Sequence, residues 1–119
     1  MNDYKLGIME EKFARLIWDN APIPSGELVK LCGKELEWKK STTYTMLRRL
    51  CERGLFQNSG GVVSVLLTIQ EFKALQSEQY INEVFDGSFP SFLATFATRA
   101  KLTGSEIEEL EKIINLHKE

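Results

Sequence analysis

Between Trp38 and Gly54 the chain runs Trp-Lys-Lys-Ser-Thr-Thr-Tyr-Thr-Met-Leu-Arg-Arg-Leu-Cys-Glu-Arg-Gly, a stretch best satisfied by a helix with two unlike faces. At about 100° per residue, Thr43, Met46, Leu47 and Leu50 gather on one side, and Gly54 stands where a helix C-terminal stop belongs. That side is a core face. Opposite it lie Ser41, Thr42, Thr45, Arg48 and Arg49, hydroxyls and guanidiniums with no carboxylate before Glu52. Short polar side chains near a helix N-terminus can approach base edges and the thymine methyl in a major groove, while Arg and Lys pair with guanine or phosphate. An ordinary solvated face uses the same residue types, so the surroundings of the segment must decide.

Charge is the first part of those surroundings. The net charge of −2 is not that of a generic nucleic-acid binder, but its distribution is uneven. Residues 1–70 hold ten Lys/Arg against eight Asp/Glu, and residues 71–119 hold five against nine. Within Trp38 to Gly54, Lys39, Lys40, Arg48, Arg49 and Arg53 face Glu52 alone. Positive charge is concentrated where the groove face is expected.

The flanking segments supply a fold. A first helix spans about Gly7 to Asp19, with Met9, Phe13, Leu16 and Ile17 on one face, and Pro22 and Pro24 prevent its continuation. Ser25 is expected to cap a second helix bearing Leu28, Leu31, Cys32 and Leu36. After Gly54, two β-prone stretches flank Asn58-Ser59-Gly60-Gly61, the signature of a hairpin. Three helices followed by a hairpin make a winged helix-turn-helix. From Gln70 the pattern is helical again, with a capping-box spacing at Thr103-Gly104-Ser105-Glu106. These helices carry more apolar surface than they can bury alone, so dimerisation is expected. The expected class is therefore mainly α with a small β-hairpin: a winged-helix DNA-binding domain over 1–69 and a helical dimerisation region over 70–119. Phe72, Ile81, Phe85, Phe92, Ile107 and Leu110 are the expected interface residues.

Other chemistry finds little support. Cys32 and Cys51 lack CxxC spacing and a neighbouring His, and read as small buried hydrophobes. His117, the single histidine, has no carboxylate or cysteine at ligand spacing. No glycine-rich phosphate loop or catalytic set is present, so neither an enzyme, a cofactor nor a metal is expected. No apolar run approaches the roughly 18 residues that span a bilayer, and Met1-Asn2-Asp3-Tyr4-Lys5 does not open a leader, which points to a cytoplasmic protein without membrane insertion.

From about Leu6 to Leu116 the chain resembles the penicillinase-repressor family, bacterial winged-helix repressors of β-lactamase and methicillin-resistance genes. The likeness rests on Leu16-Ile17-Trp18, on the pattern formed by Trp38, Thr42, Thr45, Leu47, Arg49 and Leu50, on Phe85-Asp86-Gly87-Ser88, and on the stretch from Leu102 to Leu110. The resemblance implies a homodimer on a palindromic operator of double-stranded DNA, with Lys40, Ser41, Thr42, Thr45 and Arg49 at or near the DNA. Together with the charge pattern this gives an expected DNA-binding set of Lys39, Lys40, Ser41, Thr42, Thr45, Arg48, Arg49 and Arg53. The alternative is a winged helix used only for protein contact, which fold alone does not exclude.

Three departures from the family pattern stand out. Gly61 is followed by Val62-Val63 where the family's wing commonly has Arg or Lys. Cysteine is absent after Cys51, which removes the metal motif of the copper-responsive relatives. Inducible members are cut at an Asn-Phe bond by a membrane sensor protease, and the matching pair here is Thr95-Phe96, the expected cleavage site if this mode of induction applies.

Overall fold

Three helices open the structure, a computed structural model that describes residues 3–119. In α1 (Ile8–Asn20) the fully buried Phe13, Ala14 and Ile17 recur at helical spacing and form one stripe. The Ala21 N–H closes the helix on the Ile17 carbonyl at 2.7 Å, and Pro22 has no N–H with which to continue it. Helix α2 (Ser25–Leu36) buries Leu28 and Cys32, and α3 (Lys40–Glu52) buries Thr43, Leu47 and Leu50. The turn between them passes through Glu37 in the left-handed region, φ 57°. Trp38 follows and packs on Phe13 with ring centroids 5.2 Å apart. This contact anchors the start of α3 to the core.

Strands β2 (Phe56–Ser59) and β3 (Val62–Val65) form the expected hairpin, joined by Gly60 and Gly61 at φ 60° and 79°. Two consecutive positive φ values give a two-residue turn whose twist matches the strands, and glycine adopts them without a Cβ penalty. Ser59 pairs with Val62 and Phe56 with Val65. The sheet has a third strand that the sequence reading lacks: β1 (Ile23–Pro24) pairs antiparallel with β3, in the order β1-β3-β2. That pairing changes the role of Ser25. It is the first residue of α2 rather than a side-chain cap, and its N–H donates to the Gly61 carbonyl at 2.8 Å.

Helix α4 (Ile69–Val84) begins with Thr68 and Glu71 capping each other: the Glu71 N–H donates to Thr68 Oγ1 at 3.1 Å, and the Thr68 N–H donates to Glu71 Oε1 at 2.9 Å. The bond from the Thr68 backbone, reinforced by its hydroxyl, holds the Glu71 carboxyl below its ordinary value. Phe72, 3% exposed, lies 5.5 Å from Trp18 and 6.0 Å from Tyr4, and Trp18 Nε1 donates to the Leu67 carbonyl at 2.9 Å. Phe72 thus belongs to the winged-helix core and not to the expected interface set. For the same reason the structure does not divide at 69/70. Its two compact units part between Gln79 and Tyr80, because the first part of α4 is packed on the core. Residues 1 and 2 of the expected first domain lie outside the described residues.

The second unit contains the end of α4, α5 (Phe89–Arg99) and α6 (Gly104–Leu116). Ser88 Oγ accepts from the Ser91 N–H at 3.1 Å to open α5, and Thr103 and Glu106 form the expected capping box that opens α6. Phe92 is the hub, with Phe85 at 5.4 Å, Phe89 at 6.0 Å, Phe96 at 6.1 Å and Tyr80 at 6.3 Å. Between α5 and α6 runs an apolar groove of about 370 Å³ lined by Phe92, Leu93, Phe96, Leu110 and Ile113. No side chain of α5 or α6 is buried. The fold is a winged helix followed by C-terminal helices whose apolar faces are left open.

Candidate nucleic-acid interface

The two faces of α3 are as distinct in space as in sequence. Thr43, Leu47 and Leu50 are fully or almost fully buried, while Lys39, Lys40, Ser41, Thr42, Thr45, Arg48 and Arg49 are all exposed. The core contacts of the first three fix the rotation of the helix about its axis. Seven of the eight expected DNA-binding residues are thereby left exposed. Among the described residues, no carboxylate forms an ion pair with Lys39, Lys40, Arg48 or Arg49. Lys39 is the N-cap and makes no side-chain capping bond, so the positive end of the helix dipole stands open beside two lysines. Such an end favours an anion, above all phosphate.

α3 is held at its edges by bonds that periodicity does not reveal. Thr43 Oγ1 donates to the Lys39 carbonyl at 3.2 Å, tightening the first turn. Tyr44 donates its hydroxyl to Ser25 Oγ at 3.1 Å, and the Ser25 N–H is bonded in turn to Gly61 at the hairpin turn. Helix α3 and the hairpin are therefore referenced to the same residue at the start of α2. The Tyr44–Ser25 bond spans 19 positions, and no helical repeat connects them.

Arg53 is the residue that the structure does not bring to this face. Its guanidinium donates to the carbonyls of Asp3 and Lys5, the latter at 2.6 Å, and pairs with Glu10 at 3.5 Å. The side chain is 22% exposed and that of Glu10 21%. It is the C-cap residue, one past the end of α3, and these bonds, not its position on the helical wheel, hold its side chain against the segment before α1. Counting charges along the segment places it with the other cations. Its bonds place it with the residues before α1.

The hairpin offers little electrostatic attraction. From Leu55 to Gln70 there is no charged residue, and Gln57, Asn58, Ser59 and Val62 are its exposed side chains on β2 and at the start of β3. Both thiols are pushed above the ordinary value by burial, which keeps them protonated and weakly nucleophilic. Among the described residues no group of three His, Cys, Asp or Glu side chains is placed to hold a metal ion, and no helix is long and apolar enough to cross a membrane.

The remaining expected site residues lie in the second unit. Ile81, Phe85, Phe92 and Leu110 are half-buried and Ile107 is 43% exposed. Thr95 and Phe96 are exposed in the middle of α5, Phe96 on the groove between α5 and α6.

Comparison with known proteins gives a consistent answer. Residues 6–116 match the protein family described as penicillinase repressor. The chain is similar to the penicillinase repressor of Bacillus licheniformis, 29% identical over 122 residues that cover 99% of this chain and 91% of that protein. It is also similar to the methicillin resistance regulatory protein MecI of Staphylococcus aureus, 25% identical over 116 residues, 94% of each chain. The MecI protein of Mammaliicoccus sciuri is 24% identical over the same share.

Proposed function

The chain belongs to the penicillinase-repressor family of transcriptional repressors, and from that premise we propose that it acts as a homodimer, each protomer laying α3 in the major groove of one half of a palindromic operator. The regulated genes on this reading are of the β-lactam-resistance type. The observation that carries it is the exposed face of α3: seven groove-compatible side chains with unpaired cations, fixed in rotation by Thr43, Leu47 and Leu50 beneath them. Ser41, Thr42 and Thr45 are short enough to approach base edges, Arg49 is the bidentate reader of guanine, and Lys39, Lys40 and Arg48 contact phosphate. A repressor of this kind is not an enzyme. It needs only differential affinity for one sequence.

The dimer is formed in this reading by the second unit, through Ile81, Phe85, Phe92, Ile107 and Leu110. The open apolar faces of α5 and α6 support it, because contiguous apolar surface of this kind marks an association surface. Selection from random duplexes with the full-length protein is expected to recover a palindrome. Arg49→Ala is expected to cost about 1–3 kcal/mol against that palindrome and to relax one base position in each half. Recovery of no common sequence, with only salt-sensitive binding to any duplex, would reject the reading in favour of a protein-contact module.

Release in this reading follows cleavage between Thr95 and Phe96 by a membrane sensor protease. α5 buries no side chain, so opening the turn around this bond gives up little packing. Cleavage there would part α6 from the rest of the second unit and weaken the dimer. Mass spectrometry of the protein from derepressed cells is expected to show the two fragments; an intact chain under full derepression would exclude cleavage as the trigger.

A further inference from the structure

Residues 3–7 are held from two sides. On one, the Arg53 guanidinium bonds the carbonyls of Asp3 and Lys5 and pairs with Glu10, whose other oxygen accepts the Gly7 N–H at 2.9 Å. On the other, the Tyr4 N–H donates to Gln79 Oε1 at 2.9 Å, Gln76 Nε2 donates to the Tyr4 carbonyl at 2.8 Å, and the Tyr4 ring packs on Phe72. The segment is a strap. It joins the C-terminal end of the recognition helix to three successive turns of α4, elements separated in the chain by the whole hairpin.

We propose that Arg53 is a positioning residue: through this strap it fixes the direction of α4 against the recognition helix, and it contacts no phosphate. The inference rests on the dimeric repressor reading above. Arginine suits the task because its planar fork presents five donors in fixed directions, so bonds to two main-chain carbonyls and one carboxylate define an orientation that a single point charge does not. The strap is anchored between Phe72 and Gln79, and α4 continues as one helix to Val84. In a two-fold dimer the separation and orientation of the two recognition helices set which half-site spacing is accepted. A looser joint between α3 and α4 therefore broadens the accepted spacing while leaving each half-site contact as it was.

The test compares the full-length wild type with Arg53→Ala and Glu10→Gln on the selected palindrome, on versions with one base pair added or removed at its centre, and on an isolated half-site. The wild type is expected to lose about tenfold or more in affinity when the spacing changes, and Arg53→Ala to bind all three duplexes within about threefold, with half-site affinity and salt dependence unchanged. Glu10→Gln removes the ion pair but leaves the carbonyl bonds, so it should fall between the two. It also carries the comparison if Arg53→Ala does not fold. Hydrogen exchange without DNA supplies an independent reading: amides of residues 4–7 should exchange about tenfold faster or more in Arg53→Ala while those of Phe13–Ile17 do not change. Wild-type spacing preference in both variants, a shallower salt dependence in Arg53→Ala, or unchanged exchange in the strap would each overturn the inference. A wild-type chain that selects no duplex would instead overturn the repressor reading, and the exchange result would still decide whether the strap exists.

Discussion

Removal of residues 80–119 is expected to leave a folded monomer that binds the full operator about 10²–10⁴-fold more weakly than the intact chain. The folding half of this expectation follows from where the core ends. Among the described residues every buried apolar side chain lies between Phe13 and Phe72, and the strap contacts of α4 end at Gln79, so the cut takes away no core residue. A cut at 69/70 would be a different experiment, because it deletes Phe72 and opens the cavity that its ring fills beside Trp18. The affinity half follows from linkage. Two α3 helices on one dimer make the second half-site encounter intramolecular, and a monomer forfeits that effective concentration while keeping every contact within its own half-site. Sedimentation equilibrium together with titration of full and half operators checks both parts. A truncated chain that remains a dimer, or that binds the full operator as tightly as the intact protein, would place the interface in the winged-helix unit.

The difference between cutting at 69 and at 79 shows what the sequence could and could not convey. Periodicity located α4 correctly but treated its apolar residues as one set, whereas they serve two units: Phe72 packs into the first, and Tyr80 meets Phe92 in the second. A helix that changes partner along its length has no single apolar stripe, and a repeat of 3.6 cannot show where the change occurs. The faces of α3 were readable because one helix meets one core on one side. The hairpin was readable from Gly60-Gly61, since two adjacent positive φ values leave few alternatives to glycine. Strand β1 was not readable, because two residues carry no period and their partners on β3 lie about forty residues further on. Arg53 is a related case. Charge counting records that a cation is present, but its bonds to Asp3, Lys5 and Glu10 span 43 to 50 positions that no local pattern connects.

Binding to the operator is expected to fall by about 10³–10⁴-fold between 50 and 200 mM salt, with a log–log slope of about −5 to −7. Each phosphate neutralised by Lys or Arg releases condensed counterions and adds about −0.9 to that slope. Lys39, Lys40, Arg48 and Arg49 are the exposed cations of α3, which gives at most about eight contacts from two protomers and about six if Arg49 reads a base edge in each half. The uncharged hairpin adds none, since no Lys or Arg occurs between Gly54 and Lys73. Lys40→Ala is therefore expected to weaken binding to all duplexes alike and to make the slope shallower by about two per dimer, whereas Arg49→Ala acts mainly on sequence choice. Arg53→Ala should leave the slope where it was. Titrations of the four proteins over a salt series separate these cases, and a slope near zero for the wild type would mean that the cationic face of α3 does not meet the phosphate backbone.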